Sequence, residues 1–251
     1  MHSPSCARIA GVRRRFFVQQ FAGDTAVIEG DAAHHLGRVL RAQEGQLYEL
    51  SDGQRVWLGR IEKVSRDRVE FALLEEIPAH PLAIDVALLL SIVKFDAFEW
   101  AIEKATELGV STIVPLSAVR SEKALVAAAG KRAERWKKIL AEASQQSRRV
   151  GVPVLRELSQ PAQAFRSHAT AHAKIMLSER PDALPLRQIL QAELSRRQAV
   201  LAIGPEGGWT DAEFAAAQAS GFREASLGKL ILRTETAVAA SLACINYALA
   251  D

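Results

Sequence analysis

Val200–Asn246 reads VLAIGPEGGWTDAEFAAAQASGFREASLGKLILRTETAVAASLACIN, and its punctuation decides the fold. It begins inside an apolar run, Ala199–Ile203, of the length of a buried strand. The run stops at Gly204-Pro205-Glu206-Gly207-Gly208, where three glycines in five residues permit positive φ and let a ligand lie directly on the backbone. Thr210 and Glu213 stand in capping-box spacing, which predicts a helix with Thr210 as N-cap, and Gly221 is placed to end it. A short strand near Arg223–Ser226 then runs into a second glycine-bearing loop, Leu227–Thr234, and an apolar helix closes the stretch. Two such loops just past strand ends sit where open α/β sheets bind ligands.

Working upstream, strand and helix alternate back to Pro81. Ile84–Ile92 is a buried-strand run; Phe98, Ala101, Ile102, Ala105 and Leu108 make a helical stripe that Gly109 ends. Thr112–Leu116 is a strand, and Lys131–Arg148 a helix burying Trp136, Ile139, Leu140 and Ala143. Strands at Val154–Leu158 and Lys174–Leu177, with a short helical stretch between them, and a helix at Leu184–Arg197 complete the series. Repeated β–α units predict a parallel sheet with helices on both faces.

Ile77-Pro78-Ala79-His80-Pro81 has two prolines and no periodicity, so it separates a domain at 1–78 from one at 79–251. In the first, residues 1–11 read as a loose extension and RRRFFV (13–18) as a strand whose arginines are solvated or face a polyanion. Asp31–Arg41 predicts a short helix with Asp31 as N-cap and with Arg38 and Arg41 sharing a face. Short β runs broken by turn residues from Gln46 to Glu75 predict a compact barrel. His34 and His35 are adjacent and point apart on a helix, so no metal site is expected.

The chain has 251 residues, 49% hydrophobic and 24% charged, ordinary for a soluble globular protein. It contains no apolar run long enough to span a membrane and no signal-peptide core, and its two cysteines, Cys6 and Cys244, make no disulfide framework. Cys244 reads as a small core residue, and a cytoplasmic protein is expected. The net charge is +3 and the pI about 9.0. The excess is clustered: Arg8, Arg13, Arg14 and Arg15 precede the first acidic residue at Asp24, and residues 131–156 hold eight Lys/Arg against two Glu. Such clusters suit nucleic acid.

GPEGG has neither the Lys-Ser/Thr of a P-loop nor the G-x-G-x-x-G dinucleotide pattern, and Glu206 repels phosphate. The ordered pair IGPEGG-W-x-x-x-E and LG-x-x-ILRTETA instead closely resembles the RsmE family of ribosomal RNA methyltransferases in the SPOUT superfamily. That resemblance runs from about Arg13 to the C-terminus. It implies a C-terminal trefoil knot, a PUA-like RNA-binding barrel before it, a homodimer that packs the last helices, including Thr236–Leu249 with its apolar stripe Val238, Leu242, Ile245 and Leu249, against a partner, and methyl transfer from S-adenosylmethionine (SAM) to N3 of a uridine in 16S ribosomal RNA of the small subunit. The family's cofactor loops correspond to Leu177-Ser178-Glu179, Gly204–Gly208 (with Pro205, Glu206 and Gly207) and Leu227–Leu232 (with Gly228), followed by Thr234; Leu230, Ile231 and Leu232 supply an apolar wall.

Arg233 is placed to stabilise negative charge developing on a uracil as its N3 proton leaves. Glu235 and Glu206 are candidates for the base by position only. The RNA-contacting set implied is Arg14, Arg15, His35, Arg38, Arg41 and Arg149. The stretch Gln145–Pro153 departs from the family's E-Q-x-G-R-x-x-x-P, with Gln145 for Glu and Arg148 for Gly. Two other classes remain open at this point: a nucleotide-phosphate enzyme using GPEGG as a cradle, and a non-catalytic RNA-binding or ribosome-assembly protein retaining the fold. The missing Lys-Ser/Thr weighs against the first and the complete LRTETA against the second.

Overall fold

A computed structural model of the chain describes residues 14–79, 82–193 and 198–249. The chain forms two compact units, residues 1–81 with 145–151, and residues 82–144 with 152–251.

In the first unit, β1 (Arg15–Phe17), β2 (Phe21–Ala22) and β3 (Thr25–Glu29) lead to α1 (Gly30–His34), and β4 (Leu47–Ser51), β5 (Val56–Val64) and β6 (Arg68–Ile77) follow. The sheet runs β1-β4-β5-β6-β3-β2 and curls around Phe16, Leu36, Leu50, Ile61 and Phe71. Strand alternation drives this: Val69 and Phe71 are buried while Arg68 is exposed and Glu70 half-exposed. The β5–β6 register slips at Leu58/Gly59, and a Cβ on Gly59 would lie 2.6 Å from Leu50 Cδ1. Glycine is therefore required at that bulge.

Four expectations are corrected here. Arg15 is buried, not solvated: its Nε and Nη2 donate to Glu49 Oε2 at 3.0 and 2.8 Å, and its Nη1 to the Arg148 carbonyl at 2.6 Å. A cation so committed does not face RNA. Asp31 is not the N-cap; the N-cap is Glu29, two residues earlier, which makes no side-chain cap bond, and the helix continues through His35–Val39 with wider π winding. Arg41 lies past that end at φ 52°, so it shares no helical face with Arg38. The residues 145–151, assigned by sequence to the second domain, pack with this unit, and Ser51 Oγ donates to the Val150 carbonyl at 2.6 Å. Residues 1–13, including Arg8 and Arg13, lie outside the described residues.

The second unit begins with β7 (Asp85–Ser91), α2 (Phe95–Glu107), β8 (Thr112–Leu116), α3 (Lys123–Ala128) and α4 (Ala133–Gln146). It continues through β9 (Val154–Leu155), α5 (Pro161–Ser167), β10 (Ala173–Leu177), β11 (Leu184–Pro185) and α6 (Leu186–Glu193). It ends with β12 (Gln198–Ile203), α7 (Asp211–Ala219), β13 (Arg223–Ser226) and α8 (Thr234–Leu249). The sheet, ordered β11-β13-β10-β12-β7-β8-β9, is parallel throughout. Helices cover both faces, so successive strand residues enter different cores: Leu88, Leu90, Ile175 and Leu201 one, Leu89, Val114, Met176 and Val200 the other. That double burial is why these strands read as continuous apolar runs.

After β12 the chain crosses to β13 on the far side of β10, then returns so that Thr234, at the start of α8, donates through its hydroxyl to the Gly204 carbonyl at 3.1 Å. The sequence did not anticipate α3 or the brevity of β9, and the helix expected from Leu184 begins only at Leu186, behind β11. The apolar stripe of α8 turns inward: Val238, Leu242 and Ile245 are buried in the unit's own core. Cys244 is exposed rather than a core residue. No helix among the described residues is long and apolar enough to cross a membrane.

Candidate active site

The capping box forms as its spacing requires: Thr210 Oγ1 accepts from the Glu213 amide, and Glu213 Oε2 accepts the Thr210 amide at 2.8 Å. This fixes the exit of the Gly204–Gly208 turn. Gly208 sits at φ 69°, a left-handed value that glycine adopts without strain. Gly204 serves a different purpose. A Cβ there would lie 3.1 Å from the Trp209 ring, so its missing side chain admits the indole, which is nearly buried. Trp209 Nε1 then donates to the Leu177 carbonyl at 3.1 Å. Trp209 and Thr234 thus tie the Gly204 turn to the loop after β10 and to the start of α8.

Between these loops lies a cavity of about 700 Å³, within the range of small-molecule sites. Its wall includes Leu177, Ser178 and Glu179 from the first loop, Gly204 through Gly208 from the second, and Leu227, Gly228, Leu230, Ile231, Leu232 and Thr234 from the third. Every residue expected in the cofactor loops lines this one cavity. Ile203, Ala225 and Leu177 make its apolar floor, and Leu230 and Ile231 are 82% and 78% exposed at its edge.

Arg233 also lines the cavity, is exposed, and forms no ion pair with Glu206 or Glu235 among the described residues. Glu206 is exposed on the same cavity. Glu235 is not part of the wall; it lies half-buried in the first turn of α8. Sequence reasoning missed Trp209, Phe214, Arg120 and Arg180, which also line the cavity. The Arg180 guanidinium stacks 4.5 Å above Phe214 and reaches Glu224 at 3.5 Å.

The residues expected to meet RNA do not gather in this cavity. Arg14, His35, Arg38 and Arg41 are exposed on the first unit. Arg149, in the segment 145–151, is half-buried and donates to the Gly151 carbonyl; burial lowers its pKa to about 10, so it keeps its charge at neutral pH.

The RNA methyltransferase domain family matches residues 80–246, and the RNA methyltransferase PUA domain family matches residues 28–74. A ribosomal RNA small subunit methyltransferase E from Synechocystis is 34% identical over 231 residues, covering 91% of this chain and 75% of the relative. The Bacillus subtilis protein of that name is 33% identical over 89% of this chain and 90% of its own. The chain belongs to the ribosomal RNA small subunit methyltransferase E family. A family member from Neisseria gonorrhoeae, solved bound to S-adenosyl methionine, superposes with a TM-score of 0.84 at 29% identity, over 93% of this chain and 97% of that one. A Legionella pneumophila methyltransferase in complex with SAM gives 0.82 at 28% identity. The second unit is accordingly of the SPOUT type.

Proposed function

We propose that the chain methylates N3 of a uridine in 16S RNA of the small ribosomal subunit, using SAM, in the cytoplasm. The observation that carries this is the convergence of three loops on one cavity whose mouth holds Arg233 with no carboxylate partner among the described residues. The donor set suits SAM: an apolar floor for the adenosine, glycine backbone for close approach, and charged side chains of both signs at the rim. When bound, that group supplies an electrophilic methyl for in-line displacement, for which positioning dominates.

The chain's own contribution is orientation and charge. Trp209 and Thr234 hold the loops in register. Arg233 presents its guanidinium to one of the uracil carbonyl oxygens beside N3, where negative charge grows as the N3 proton leaves, and leaves the N3 lone pair free to meet the methyl group. The first unit, with Arg14, His35, Arg38 and Arg41 exposed, binds RNA chiefly through phosphates. A second copy of the chain completes the assembly through the exposed Leu230, Ile231 and Tyr247, not through the buried stripe of α8.

The test is nucleoside analysis of small subunits from cells lacking this enzyme, after incubation with the chain and SAM. A single 3-methyluridine in 16S RNA is expected. Methylation at a ribose, or at another base, would contradict the assignment.

A further inference from the structure

The loop Leu116–Glu122 between β8 and α3 is pinned at three points. Ser117 donates its amide to the Ser159 carbonyl (2.9 Å), Ser121 Oγ donates to the Ile92 carbonyl (2.7 Å), and the Val119 amide donates to Glu213 Oε1 (2.9 Å). Glu213 is buried, and its other oxygen is occupied by the amide and hydroxyl of Thr210. One carboxylate therefore joins this loop to the exit of the Gly204–Gly208 turn. The consequence is the placement of Arg120. Its Nη1 donates to the Gly207 carbonyl at 2.9 Å, and a Cβ on Gly207 would lie 3.2 Å from Arg120 Cβ, so the side chain lies against the turn.

A guanidinium has five N–H donors, and Gly207 takes one. Arg120 has no carboxylate partner among the described residues, whereas Arg180 across the cavity is already paired with Glu224 and stacked on Phe214. Beside the Arg120–Gly207 bond stands Glu206, exposed and lining the same cavity. A fixed cation beside a carboxylate complements a zwitterion; a phosphate at this spot would meet the repulsion of Glu206.

Resting on the SAM reading above, we infer that Arg120 receives the α-carboxylate of the cofactor's amino-acid tail, that Glu206 faces its ammonium, and that Glu213 is the positioning residue that holds Arg120 there. The arrangement selects adenosine ligands that carry the tail over those that lack it.

Calorimetric titration of the full chain with SAM and with 5′-methylthioadenosine, which keeps the adenosine and thioether and lacks the amino-acid tail, tests this. Arg120→Ala should weaken SAM by about 10- to 100-fold, the scale of a lost charge-assisted hydrogen bond, and leave 5′-methylthioadenosine unchanged. Arg120→Gln should behave alike, and Glu213→Gln, which also loosens the exit of the Gly204–Gly208 turn, should weaken both ligands but SAM more than 5′-methylthioadenosine. A merely structural role predicts equal weakening of the two ligands, and that result would overturn the inference. So would unchanged SAM affinity with weakened RNA binding in Arg120→Ala, which would assign the residue to a phosphate. If the unmodified chain binds neither ligand, the cofactor reading itself fails.

Discussion

Trp209 Nε1 donates to the Leu177 carbonyl at 3.1 Å, joining residues from two loops that are 32 positions apart in the chain. The bond exists because Gly204, five residues before the indole, leaves the space that the ring fills. The loops that line the cavity are thus set against one another before any ligand arrives, which lowers the ordering cost of binding.

Trp209→Phe keeps most of the packing and removes the donor. It should weaken SAM binding by roughly 3- to 10-fold, in line with a net hydrogen bond worth about 1 kcal/mol, with little change in the thermal midpoint. Titration calorimetry beside a melting curve separates these effects; equal SAM affinity would mean that the Leu177 loop holds its place without the indole.

Gly204→Ala and Gly208→Ala should fail for different reasons. The first drives a Cβ to 3.1 Å from the Trp209 ring, and overpacking of this kind costs about 1–3 kcal/mol. The second forces alanine to φ 69°, at about 1–2 kcal/mol. Gly204→Ala combined with Trp209→Leu should recover part of the first loss, while no change at Trp209 should rescue the second. Denaturant midpoints of the four variants decide the matter.

Glu49 and Arg15 form a buried pair, and removing one partner leaves the other charge without compensation. Glu49→Ala should destabilise the first unit by about 3–5 kcal/mol, whereas Glu49→Leu with Arg15→Met should be far milder. If Arg15 were an RNA contact, Arg15→Met in the double variant would reduce RNA affinity and flatten its salt dependence; neither is expected.

The exposed arginines should behave in the opposite way. Arg38→Ala and Arg41→Ala should each leave stability nearly unchanged and reduce the slope of log affinity for RNA against log salt by about 0.7–0.9. An unchanged slope in both variants would move the RNA-binding face elsewhere.

What the sequence disclosed, and what it hid, follow from the range of the interactions involved. The strand at Gln198–Ile203, the turn after it and the capping box of Thr210 and Glu213 were legible because each is set by neighbours within a few residues. The loops that line the cavity were legible through their motif. Arg15 was not: its burial depends on Glu49, 34 positions away, and on the Arg148 carbonyl, 133 away. Nor was the second duty of Glu213, because Val119 lies 94 residues upstream. The stripe Val238, Leu242 and Ile245 was visible, but periodicity says only that a face is apolar; here the chain's own core covers it.

The central claim is that Arg233, in the cavity and without a carboxylate partner among the described residues, stabilises the uracil as it loses its N3 proton. Single-turnover methylation of 16S RNA in small subunits, followed against pH for the unmodified chain and for Arg233→Ala, tests it most directly. The variant should lose roughly 10²–10³ in rate near neutral pH, the scale for removing one transition-state donor, with SAM affinity preserved. Its rate should climb towards that of the unmodified chain as pH rises and more uridine is already ionised. Near-normal turnover in Arg233→Ala, or a loss that is independent of pH and accompanied by weaker SAM binding, would contradict the account.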